Sequence, residues 1–144
     1  MNNPLFYAKI LLFGEYGIIE DSQGLTLPYS FYKGTLKFSD LDNDFEKKSN
    51  QSLKKYSNYL SDLELPAEYN LDVKSFKNDI AKGLFFDSNI PQGYGVGSSG
   101  ALVAAIFEKY SLIKRNPETI SKDELKDLKF IFLLKQVLCH QNLH

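Results

Sequence analysis

Within residues 90–101, Ile-Pro-Gln-Gly-Tyr-Gly-Val-Gly-Ser-Ser-Gly-Ala, three alternating glycines run into a pair of serines and then an apolar stretch. This order constrains the fold more tightly than any other part of the chain. Gly93, Gly95 and Gly97 lack a Cβ, so the backbone can take positive φ and turn successive N–H groups toward one point. Ser98 and Ser99 fall where the following helix is predicted to begin. There the unpaired N–H groups and the positive end of the helix dipole favour an anion. The pattern predicts a strand, a loop and a helix, with phosphate held at the turn.

The flanking sequence supplies those elements. Residues 6–13 are rich in β-formers and end at Gly14, which predicts a buried strand. Ile18 and Ile19 suggest a second short strand, and 21–24 a polar turn before the segment 25–28. Residues 31–38 alternate Tyr32, Gly34, Leu36 and Phe38 against Lys33, Thr35 and Lys37, the period of a half-exposed strand. Residues 40–50 are charged and polar and read as a surface connection. Leu53, Tyr56, Leu60 and Leu63 define an amphipathic helix closed by Pro66, and a second helix is expected over 73–82, where Val73, Phe76, Ile80 and Ala81 share a side before Gly83. Leu84, Phe85 and Phe86 then form a short strand that delivers the chain into the glycine loop. Residues 101–107 are apolar all round, as in a helix packed inside a domain. Asn116-Pro117 and the capping box 121–124 predict a last helix from about 122 to the end.

At 144 residues the chain has the size of one domain, and its 43% apolar content argues for a folded protein. A net charge of −1 with dispersed basic residues gives no electrostatic reason for a nucleic-acid or anionic-membrane partner. The single cysteine, Cys139, excludes an intrachain disulfide framework. His140 and His144, four residues apart, lack further ligands nearby and read as terminal histidines. The opening Met1-Asn2-Asn3-Pro4 has no basic stretch followed by a long apolar one, so a soluble cytoplasmic protein is expected.

Three phosphate loops compete for residues 90–101. A Walker A loop needs Gly-Lys-Ser/Thr, and no lysine occurs between Lys82 and Lys109. Gly95, Gly97 and Gly100 spell the dinucleotide fingerprint, but they follow a proline-containing loop late in the chain and lack the second strand with its acid. The full stretch resembles the second motif of the GHMP kinases, Pro-x-x-x-Gly-Leu-Gly-Ser-Ser-Ala, with Pro91, Gly95, Gly97, Ser98, Ser99 and Ala101 in register. Val96 stands for the leucine, and Gly100 for an alanine, which loosens the helix start by about 1 kcal/mol. Lys9 to Ile19 is similar to the first motif of mevalonate kinases, a lysine and an apolar strand before Gly-Glu-His, here Gly14-Glu15-Tyr16.

This resemblance implies an α+β domain of the ribosomal-protein-S5 domain 2-like type, with a mixed sheet and packed helices. It implies transfer of the γ-phosphoryl of ATP to a small alcohol, foremost mevalonate, with Mg²⁺ as cofactor; phosphoryl transfer relies on positioning and charge neutralisation. ATP would be held by Pro91, Gly93, Gly95, Val96, Gly97, Ser98, Ser99 and Gly100, with Ser99 on the metal. Lys9 would be the catalytic cation, and Glu15 and Tyr16 would border the substrate. Neither nucleic acid nor membrane is implied as a partner, and a homodimer is compatible.

The acidic Mg²⁺ ligand, the catalytic aspartate and the C-terminal domain of such kinases have no recognisable counterpart in the sequence. The expectation is therefore an N-terminal, ATP-binding portion with little or no turnover alone. Another GHMP kinase substrate, or a non-catalytic nucleotide-binding role, stays open beside the mevalonate reading.

Overall fold

In the computed structural model, residues 3–13, 25–62 and 71–112 are described. Their elements run β1 (Phe6–Phe13), β2 (Leu25–Phe38), α1 (Asp44–Asp62), α2 (Val73–Ala81), β3 (Leu84–Ser88) and α3 (Ser98–Tyr110). The α+β class follows directly. Among the described residues the sheet has the order β1-β2-β3 and both pairings are antiparallel, in place of the mixed sheet expected. Among the described residues no helix is long and apolar enough to cross a membrane. The segments expected at Ile18 and Ile19, at Leu63 and Pro66, and from Asn116 through Cys139, His140 and His144 lie outside the described residues.

The strand β2 runs unbroken through Pro28, so the two segments read as 25–28 and 31–38 are one element. Proline is tolerated there because its cross-strand partner is Lys9, whose N–H donates elsewhere, to Val96 O at 3.0 Å. The expected alternation also shifts. Thr35 is buried and its hydroxyl donates to Pro4 O at 2.7 Å, whereas Phe38 is exposed beneath the Lys109 ammonium, 4.4 Å from the ring centroid.

Residues 44–50, expected as part of a surface connection, are the first two turns of α1. Asn43 begins the helix, its Oδ1 accepting the Glu46 N–H at 2.9 Å, the bond expected of an N-cap. The polar residues of these turns face β3, the outer strand of the sheet. Ser49 Oγ donates to Phe86 O at 3.1 Å and accepts from Phe86 N at 2.9 Å. Asn50 is buried, and its Nδ2 donates to Ile80 O at 2.9 Å and Leu84 O at 2.7 Å. Side chains of α1 thus stand in for the missing neighbour strand.

One core joins the layers. Ala8, Leu36, Leu84 and Phe86 from the sheet meet Leu53, Tyr56 and Leu60 of α1, Phe76 and Ile80 of α2, and Ala101, Val103, Ala105, Ile106, Phe107 and Tyr110 of α3. Burial of a side chain the size of Phe76 or Ile106 contributes about 1.5–3 kcal/mol. Ala81, placed by its spacing on the buried side of α2, is exposed instead. Helix α3 lies over β1 and β2, and this contact fixes where its N-terminus opens.

Candidate phosphate-binding loop

The loop leaves β3 and crosses to the edge of β1. Its departure is pinned by Asn89, whose N–H donates to Lys33 O at 3.2 Å while its Oδ1 accepts the Lys33 N–H at 2.7 Å. Asn89 Nδ2 also reaches Phe31 O at 3.3 Å. Its arrival is pinned by the bond from Lys9 N–H to Val96 O. Gly93 and Gly95, between these anchors, and Gly97, just past the second, take φ of 83°, 69° and 84°. This is the left-handed region that only glycine enters readily, and it explains the alternating pattern in the sequence.

Helix α3 begins directly after Gly97, which occupies the N-cap without a side chain to offer. The first intrahelical bond runs from Ala101 N–H to Gly97 O at 3.0 Å. Among the described residues, the N–H groups from Gly93 to Gly100 have no protein acceptor, and neither do the hydroxyls of Ser98 and Ser99. Unsatisfied donors at the start of a helix are the ordinary means of holding an anion. The space before Gly93 and Gly95 is open to 4 Å, and Tyr94 at the tip is 80% exposed.

Lys9 is brought to the same place from 88 residues before Gly97 in the chain. Its side chain passes beside Gly97. Among the described residues no carboxylate pairs with it, since the three ion pairs involve Lys37, Lys82 and Lys109. The structure therefore assembles Lys9, Val96, Gly97, Ser98 and Ser99 at one corner, with Pro91, Gly93, Gly95 and Gly100 along the same loop and first turn. Glu15 and Tyr16 lie outside the described residues. An open depression of about 520 Å³ on the sheet, lined by Asn3, Lys33, Lys37, Asp87 and Asn89 among others, is a separate place.

A serine hydroxyl is a hard oxygen ligand of the kind Mg²⁺ accepts, usually beside carboxylate, phosphate and water oxygens. Ser99, half-buried and with no hydroxyl partner among the described residues, fits as one such ligand. No cluster of three or more His, Cys, Asp or Glu able to hold a metal occurs among the described residues. Sequence reasoning passed over Asn89. Its signal was an Asn at a strand end two residues before Pro91, a residue type whose side chain bonds neighbouring backbone in turns.

No family model, no curated protein and no solved structure matches the chain.

Proposed function

We propose that the loop 91–100 binds the phosphates of ATP, and that the chain is the nucleotide-binding portion of a GHMP-type kinase acting on a small alcohol, foremost mevalonate. The observation that carries this reading is the convergence at one open corner of three left-handed glycines with helix-start donors and the cation Lys9, none of them paired among the described residues. In this reading the domain is of the ribosomal-protein-S5 domain 2-like type, found in a soluble cytoplasmic enzyme. The loop amides and the α3 dipole take the triphosphate charge, and Lys9 offsets the charge on the transferred group. Mg²⁺, when bound, would neutralise phosphate oxygens, with Ser99 contributing one ligand. Phosphoryl transfer would further require an acid to orient the substrate hydroxyl.

A second reading is nucleotide binding without transfer, since the acidic Mg²⁺ ligand and catalytic aspartate of such kinases have no recognisable counterpart in the sequence. Calorimetry of the 144-residue chain with ATP and Mg²⁺ tests the shared part. Binding that weakens about tenfold in Lys9→Met, equal to about 1.4 kcal/mol, is expected. No heat at millimolar ATP would overturn the phosphate site. With binding in hand, an ADP-release assay over a panel of alcohols separates the two readings.

A further inference from the structure

Gly93, Gly95 and Gly97 share one backbone conformation, yet they differ in what surrounds them. A Cβ built on Gly93 or Gly95 would meet nothing within 4 Å. At Gly97 it would stand 2.9 Å from Lys9 Cγ, 3.5 Å from Lys9 Cε and 3.6 Å from Lys9 N. Carbon atoms prefer separations of about 3.5–4.0 Å, so the first of these contacts is repulsive. Lys9 has little freedom to yield. Its backbone stands opposite Pro28 within the β1–β2 pairing, and its N–H is tied to Val96 O. Its Cγ is the second side-chain atom, which moves only through a change of χ1 rotamer.

We propose that Gly97 is a positioning residue acting through Lys9: its missing Cβ is the slot in which the lysine stem lies, and the slot sets the direction that Nζ takes toward an anion at the start of α3. The ligand half of this proposal rests on the phosphate reading above. The slot itself does not, because it is a property of the free protein. Gly97 is thus required twice, once for its φ of 84° and once for the space it leaves. Gly93, at φ 83°, is required for its backbone alone and is a matched control.

A double-mutant cycle with inorganic tripolyphosphate separates the two requirements. Gly97→Ala should weaken binding about tenfold more than Gly93→Ala when Lys9 is present, and no more than Gly93→Ala in a Lys9→Met background. Equal losses for the two glycine variants with Lys9 present, or an excess for Gly97→Ala that survives Lys9→Met, would overturn the proposal. In the free protein, NMR should show an Overhauser contact between Lys9 Hγ and Gly97 Hα and a single lysine χ1 rotamer. In folded Gly97→Ala the χ1 should be averaged or changed. A wild-type Lys9 with no such contact and averaged χ1 sinks the slot whatever the chain binds. A fixed Lys9 in a protein that fails to bind tripolyphosphate upholds the slot and sinks the phosphate reading.

Discussion

Asn50 shows how much a single polar side chain can carry in this protein. Its amide donates from a buried position to two backbone carbonyls, one at the end of α2 and one at the start of β3. Replacing it with alanine removes both bonds; Ile80 O keeps the Gly83 N–H at 3.1 Å, but the Leu84 carbonyl loses this partner, so Asn50→Ala should lower the unfolding free energy by about 1–3 kcal/mol in urea titration. Asp72 makes the complementary case at the surface. It caps α2 by accepting from the Ser75 N–H at 2.9 Å and from the Ser75 hydroxyl at 2.6 Å, and these bonds, led by the hydroxyl, hold its carboxyl below the ordinary 3.8. A carboxyl depressed in the fold adds stability above its unfolded value, and that stability disappears as pH falls through the folded one. The stability gap between wild type and Asp72→Ala should accordingly narrow below pH 3.8 and stay constant from pH 5 to 8 in thermal melts.

At the scale of elements, α2 and α3 are joined by Asp79. Its carboxylate accepts from the Tyr110 hydroxyl at 2.9 Å and faces the Lys109 ammonium at 3.4 Å. Asp79→Ala leaves the Tyr110 hydroxyl without that partner and should cost about 1–3 kcal/mol. Lys109→Met should cost under about 1 kcal/mol, because a part-exposed pair contributes little. Denaturation of the two variants side by side checks the order. These helices were legible in the sequence because apolar residues mark their inner faces: Phe76 and Ile80 in α2, and Val103, Ile106 and Phe107 in α3. β1 was legible as a strand from its β-forming residues, but not as the buried strand expected, since of residues 6–12 only Ala8 is buried while Tyr7, Ile10 and Leu12 are exposed; β3 was legible from its apolar run. The first turns of α1 were not, because their inward side chains are Ser49 and Asn50, chosen to match backbone groups instead of oil. The continuity of β2 was hidden by Pro28, whose acceptability depends on a bond that Lys9 makes 87 residues away, to Val96. For the candidate site, the glycines and serines announced themselves locally. Asn89 did not, and the nearness of Lys9 to Gly97 is a tertiary fact that the motifs only imply.

Over the whole molecule, two buried tyrosines set the alkaline limit. Burial is the leading cause that pushes the phenols of Tyr56 and Tyr110 above their ordinary 10.0, joined at Tyr110 by the bond to Asp79. Both groups are neutral in the fold and ionise more readily in the unfolded chain. Their stabilisation is complete below pH 10 and falls above it, by up to about 1.4 kcal/mol per pH unit for each group. Tyr56→Phe should reduce the steepness of alkaline unfolding followed by circular dichroism. The far half of the β1–β2 ribbon leaves Ile10, Leu12, Leu25 and Leu27 exposed, with Ile10 and Leu27 directly paired across the strands. Changing both of that pair to threonine should leave stability within about 0.5 kcal/mol and reduce light scattering at high concentration.

The way α1 closes the outer margin of β3 also decides how this sheet can be enlarged. With Ser49 pairing both backbone groups of Phe86 and Asn50 taking the Leu84 carbonyl, an incoming strand from another polypeptide finds the middle of that margin already occupied. A strand added beside β3 must therefore displace α1, whereas one added along β1 meets the corner where Lys9 is already engaged by Val96.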